Sequence, residues 1–115
     1  MNRLYRKYRN IINFVVIYIS EAHAKDEWPL SSSDVTLQHR TIEDRIKAAK
    51  RLNAEYPVYC DSFGENNFES VYSGWPERAF IIDEGIIKFI SYHSVDGYDN
   101  WHESVEEWIC NYAGY

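Results

Sequence analysis

Cysteine is scarce in this chain: there are two, Cys60 and Cys110, far apart and without a Cys-x-x-Cys pair. That spacing excludes a local zinc site and a local redox pair, and reads as two reduced cysteines of a cytosolic domain. Long apolar runs are also lacking. The longest, Ile11 to Ile19, is interrupted by Asn13, whereas a bilayer span needs about 20 such residues, so no transmembrane helix is expected. The basic start resembles the opening of a signal peptide, but no small-residue cleavage site follows and the run passes into Glu21-Ala22-His23. A surplus of positive charge is missing as well. The net charge is -6, and Arg3, Arg6, Lys7 and Arg9 all fall in the first ten residues, so the remainder is strongly acidic. Such a surface excludes nucleic acid as a partner. No repeat or low-complexity segment interrupts the chain.

What is present suits one packed interior. The chain has 115 residues, 45% of them apolar and 17% aromatic, with 10 Tyr and 4 Trp, enough for a single domain over residues 1–115 and too few for two. Residues 2–10 place Leu4 and Tyr8, with Ile11 beyond, on one helical face, and the helix opens without an N-cap, as if entered in mid-element. Phe14 to Ile19 is β-rich and apolar on both faces, the pattern of a central strand in a mainly parallel sheet. Residues 20–40 are a polar loop longer than an ordinary strand-to-helix connection, the kind that carries function. Thr41 caps a helix expected to reach about Glu55, with Asp44 at the third helical position and Ile42, Ile46, Ala49 and Leu52 as its apolar side. A strand at Pro57 to Asp61, a helix at Asn67 to Tyr72, a hairpin of Ala79 to Ile82 with Ile86 to Tyr92 about Asp83-Glu84-Gly85, and a closing helix carrying Trp101, Val105, Trp108, Ile109 and Tyr112 complete the order α-β-α-β-α-β-β-α. The expected fold class is a three-layer α/β domain.

The strings FVVIYISEAHAKDEW (14–28), QHRTIEDRIKAA (38–49) and PERAFIIDEG (76–85), with Asp96-Gly97-Tyr98 ahead of the last helix, carry a more specific signal. Together they resemble the iodothyronine deiodinases across nearly the whole chain. The resemblance implies a thioredoxin-like fold and an oxidoreductase that removes iodine reductively from thyroxine-type substrates, in a selenoprotein family of thyroid hormone metabolism. Such enzymes use a selenocysteine, or sometimes cysteine, and a thiol reductant, with no further cofactor. The nucleophile would lie before Met1, so the expectation is a domain lacking its N-terminal strand and nucleophile loop, either truly truncated or assigned downstream of a selenocysteine codon read as a stop. As supplied, it is expected to be cytoplasmic and inactive alone. A membrane anchor would belong only to the missing upstream segment, and a homodimer is implied by the family.

Reductive deiodination needs a soft nucleophile to take the iodine, a proton for the ring carbon, and a clamp for the phenol and amino-acid ends of the substrate. By resemblance, His23 contacts substrate, and Tyr18, Glu21, His39 and Glu77 form a hydrogen-bonded network that moves protons near the nucleophile. Histidine titrates near neutrality, and a neighbouring carboxylate or phenol can hold one tautomer. His39-Arg40 fits equally a solvated approach to the helix, and Arg40 a bidentate carboxylate clamp. Glu77-Arg78 fits an ion pair at a strand start as well as a site. Two positions depart from the family pattern: Ser91-Tyr92-His93 stands where glycines and then a permanent cation are usual, leaving His93 as a titratable substitute in carboxylate binding, and Ser20 replaces the first of two glutamates. No metal site is expected. Cys60 and Cys110 are read as small buried residues without a catalytic role. Two other classes compete: a peroxiredoxin-like or thioredoxin-like thiol oxidoreductase, and a non-catalytic truncated interaction domain.

Overall fold

Among the described residues eight elements follow in the order α1 (Asn2–Tyr8), β1 (Val16–Tyr18), α2 (Ile42–Lys50), β2 (Val58–Cys60), α3 (Asn67–Tyr72), β3 (Phe80–Asp83), β4 (Ile86–Ile90) and α4 (Trp101–Ala113). The computed structural model describes residues 1–28, 36–91 and 100–114. His93 and Asp96-Gly97-Tyr98 therefore lie outside the described residues, as does the serine stretch at 31–33. The order of helices and strands is the expected one, and the fold class is mixed α/β, consistent with a thioredoxin-like domain. Two compact units can be distinguished, Asn2–Trp75 and Pro76–Tyr115 with Met1.

In the first unit β1 and β2 run parallel in the register Val16↔Val58, Ile17↔Tyr59 and Tyr18↔Cys60, and α2 packs on β2. Among the described residues β1 pairs with β2 alone, and its three residues are only half-buried. The expected central strand is thus one of a two-stranded sheet here. An apolar pattern reports which residues avoid water; it does not name the neighbours that flank them. Leu4 and Tyr8 are buried as the periodicity of α1 requires, together with Phe14 and Ala24. Full burial of a side chain such as Leu4 stabilises by about 2 kcal/mol. Ile11 is exposed instead of joining this face, because the helix stops at Tyr8 and the N–H groups of Ile11 and Ile12 both turn back to its carbonyl.

Thr41 caps α2 as expected, its hydroxyl accepting from the Asp44 N–H at 3.1 Å. The helix ends at Lys50, short of Glu55, and Asn53 soon after takes a left-handed conformation with φ 48°. The buried side of α2 also differs from the expected one. Arg45, Ala48 and Ala49 face inward while Ile46 and Leu52 are exposed. The apolar pattern runs through Ile46, but Arg45 sits three residues after Ile42 and four before Ala49, on the same face. Its guanidinium finds enough acceptors there to be buried.

In the second unit β3 and β4 form an antiparallel hairpin. Its two turn residues, Glu84 and Gly85, have φ of 49° and 76°, the signature of a tight turn that follows the twist of the strands. The register slips between Ile81 and Ile82, which pair with Phe89 and Ile87, leaving Lys88 as a bulge. Val105 and Ile109 of α4 are buried, but Tyr112 is exposed. Its ring stacks on Trp108 and its hydroxyl donates to Asp83 at 2.6 Å, so a polar anchor holds a residue expected in the core.

Candidate functional site

A polar cluster in the first unit, half-buried at Tyr18 and Glu21 and buried at His39, gathers three of the residues singled out above. Tyr18 ends β1 and donates its hydroxyl to Oε1 of Glu21. His39, on the segment leading into α2, points Nε2 at that same oxygen from 3.4 Å, and its ring lies 5.9 Å from the Tyr18 ring. Although close enough for an ion pair, Nε2 meets no hydrogen-bond geometry and is a buried nitrogen without a hydrogen-bond partner among the described residues. Directional alignment decides hydrogen bonding, so this contact is a near approach rather than a bond.

Glu21 is placed by Gln38. The Gln38 side-chain carbonyl accepts from the Glu21 N–H at 3.1 Å, and its amide donates to the Glu21 carbonyl at 3.0 Å. The same amide reaches the Glu27 carboxylate at 3.0 Å, and the Gln38 N–H donates to Asp26 at 2.9 Å. One side chain therefore ties the loop after β1 to the approach to α2, which brings Glu21 and His39 together across 18 residues of sequence.

Behind His39 stands Arg45, 2% exposed. Its Nε donates to His39 Nδ1 at 3.2 Å. Its Nη1 donates to the carbonyls of Asp61 and Ser62 at 3.1 and 3.2 Å and to Oδ1 of Asn66 at 3.0 Å. Asp61 is itself buried. Its carboxylate accepts from the N–H groups of Ser62 and Phe68 at 2.8 Å and of Glu69 at 3.0 Å, capping α3 from a distance where Asn66 makes no side-chain cap. The Asp61 N–H donates to the Tyr18 carbonyl at 2.9 Å. Asp61 and Arg45 thus connect the end of β2 to the cluster, and neither stood out in the sequence. The available signal was a charged residue in register with an apolar helical face.

The surroundings move two protonation equilibria. Burial, then the hydrogen bond and charge of Glu21, push the Tyr18 phenol well above its ordinary value. His39 is lowered, first by burial and then by the Arg45 charge, against the opposing pull of Glu21 and Asp44. Near neutral pH the cluster therefore holds a phenol that keeps its proton and an imidazole that stays neutral.

The other candidates make contacts of their own. His23 contacts Trp28 among the described residues, ring to ring at 5.0 Å and through Nδ1 to the Trp28 carbonyl at 3.3 Å. Arg40 is exposed, and its backbone N–H donates to Asp44 at 3.0 Å. Glu77 belongs to the second unit, where it accepts from Trp101 Nε1 at 2.6 Å. Its neighbour Arg78 donates to the Ser91 carbonyl at 3.0 Å. Cys60 and Cys110 are free and half-buried, with the Cys60 thiol raised by burial. Cys60 lines an open groove of about 650 Å³ with Ile42, Ile46, Ala49 and Tyr59. Among the described residues no group of His, Cys, Asp and Glu is arranged to hold a metal ion, and no helix is long and apolar enough to cross a membrane.

These features define an α/β domain with a half-buried Tyr-Glu-His cluster at the carboxyl end of a parallel strand, where folds of this class place their ligands. The sequence model of the iodothyronine deiodinase family matches residues 1–113, and the chain belongs to that family. It is 42% identical over 89 residues to type I iodothyronine deiodinase of Xenopus laevis, covering 75% of this chain and 35% of that protein. It is 35% identical over 114 residues to thyroxine 5-deiodinase of Bos taurus, covering 96% of this chain and 37% of that protein. The corresponding protein of Ovis aries is 35% identical, with 91% of this chain and 39% of that protein covered. The chain spans little more than a third of the length of these relatives.

Proposed function

We propose that these residues form part of an iodothyronine deiodinase that removes iodine reductively from thyroxine-type substrates. In the reaction the ring C–I bond breaks and a C–H bond forms. The iodine passes to a selenocysteine or cysteine outside these 115 residues, and a thiol reductant then releases it as iodide while two thiols become a disulfide. Tyr18, Glu21 and His39 manage the proton: Glu21 accepts from the phenol, and His39 faces the same carboxylate oxygen. His23 and Arg40 contact the substrate, with His93 in place of a permanent cation, and Glu77 assists the network. The enzyme works as one domain on an iodothyronine or another halogenated phenol, needs no metal or further cofactor, and binds no nucleic acid. It acts in the cytoplasm as a homodimer, with any membrane anchor upstream.

The observation that carries this reading is the buried, unbonded Nε2 of His39 facing the carboxylate oxygen that Tyr18 already occupies. A buried polar atom without a bond calls for an explanation, and a proton-transfer role supplies one. The test is iodide release from thyroxine, with dithiol, by a protein extended upstream to carry the nucleophile. Glu21→Gln and His39→Gln are each expected to lower kcat/KM by about 10²-fold. Wild-type levels of iodide release in both variants would refute the reading. The 115-residue chain alone is expected to release none, because Cys60 is held as a thiol of raised pKa and is a poor nucleophile. Disulfide reduction at an upstream Cys-x-x-Cys, without iodide release, would favour a thiol oxidoreductase instead.

A further inference from the structure

We propose that Arg45 is a positioning residue that fixes His39 in the tautomer bearing its proton on Nε2, so that a donor rather than an acceptor faces Glu21. A guanidinium has five N–H donors and no acceptor. Its Nε–H lies 3.2 Å from His39 Nδ1, so Nδ1 must be the lone-pair nitrogen and the ring's proton must sit on Nε2. The guanidinium has little freedom to release this hold. Its Nη1 is engaged by the carbonyls of Asp61 and Ser62 and by the side chain of Asn66, and Cζ lies over the Phe63 ring at 5.6 Å. These three acceptors and the Phe63 ring all belong to the segment that ends β2 and leads into α3. A planar fork held at its far end presents Nε in one direction, which an ammonium on a flexible stem would not do.

The opposite tautomer would set an Nδ1–H against the Arg45 N–H and turn a bare Nε2 lone pair toward the Glu21 carboxylate, which is unfavourable at both nitrogens. Full protonation would satisfy Glu21 but again oppose two donors at Nδ1. The groups facing His39 are Glu21, Tyr18, Arg45 and Asp44. Of these, only Arg45 reaches Nδ1. Glu21 by itself would draw a proton onto the ring, whereas Arg45 favours the neutral form and selects which nitrogen carries its proton. The inference deepens the proposed function, since the tautomer bears on turnover only if His39 moves protons, but the geometry behind it is independent of the reaction.

The test is long-range 1H–15N correlation spectroscopy on the 115-residue chain with 15N-labelled histidine. His39 is expected to show a protonated Nε2 and an unprotonated Nδ1 at neutral pH, with a titration midpoint below the ordinary imidazole value of about 6.5. Glu21→Gln should leave that tautomer in place. Arg45→Lys keeps the charge but loses the fixed Nε–H, and should populate the Nδ1–H form. A wild-type His39 protonated on Nδ1, or a tautomer that reverses in Glu21→Gln, would overturn the proposal. Should Arg45→Lys not fold, the wild-type and Glu21→Gln spectra still decide. The expected tautomer without iodide release from the extended protein would sink the proposed function and leave this inference standing. Iodide release with the opposite tautomer would do the reverse.

Discussion

Tyr18 donates its hydroxyl to Glu21, three residues further along the chain, so the last residue of β1 holds in place the carboxylate that His39 faces. The link has a consequence at alkaline pH. Because burial and Glu21 raise the Tyr18 phenol, the unfolded chain ionises this residue first, above its ordinary value of 10.0. Its stabilising contribution is therefore complete below about pH 10 and lost as pH rises beyond it. Tyr18→Phe is expected to cost about 1 kcal/mol at neutral pH and to reduce the alkaline loss. The reduction will be partial, since Tyr56 and Tyr112 are raised too. Denaturant melts at neutral and alkaline pH check this; an alkaline slope equal to that of wild type would count against it.

On the acid side the sign reverses. His39 is lowered in the folded state, chiefly by burial, so below its ordinary value of 6.5 the unfolded chain binds the extra proton. The contribution is present above about pH 6.5 and is lost as pH falls through the folded value. His39→Gln is expected to flatten the stability profile in that window. A further loss should follow in the ordinary carboxylate range, where Asp44, lowered first by the Arg40 N–H, and Glu55, lowered first by Arg6, take up protons. Thermal melts across the acid range would separate the two steps.

Asp61 serves α3 and the cluster together. Asp61→Ala removes the acceptor of three N–H groups and is expected to cost about 2 kcal/mol or more. Asp61→Asn, which keeps one oxygen, should cost less. Hydrogen exchange should rise at Phe68 and Glu69 in both; unchanged protection there would show that α3 does not need this cap.

At the hairpin Glu84 occupies a left-handed conformation at φ 49° beside Gly85 at φ 76°. Nothing crowds a Cβ added at Gly85, so Gly85→Ala tests the backbone alone and is expected to destabilise by about 1 kcal/mol. Glu84→Asn places a residue tolerant of that conformation and should stabilise by a few tenths of a kcal/mol, about 0.5 at most. Equilibrium denaturation of the pair reads both; opposite signs are the expected result.

The order of all eight elements followed from local signals: the Thr41 cap, the apolar runs at Phe14 to Ile19 and Ala79 to Ile82, and the turn at Glu84-Gly85. Caps, turns and periodicity act within a few residues, so the chain itself determines them. Tyr18, Glu21 and His39 were legible only through family strings, because no spacing rule joins position 21 to position 39. Tertiary structure decided that meeting, through Gln38 gripping the Glu21 backbone. It also decided which side of α2 is buried. A helix pattern marks Ile46 as core and Arg45 as surface, yet the carbonyls of Asp61 and Ser62 and the His39 nitrogen provide the acceptors that let a guanidinium leave water. Those acceptors come from segments distant in sequence, and a charge is buried only where such partners converge.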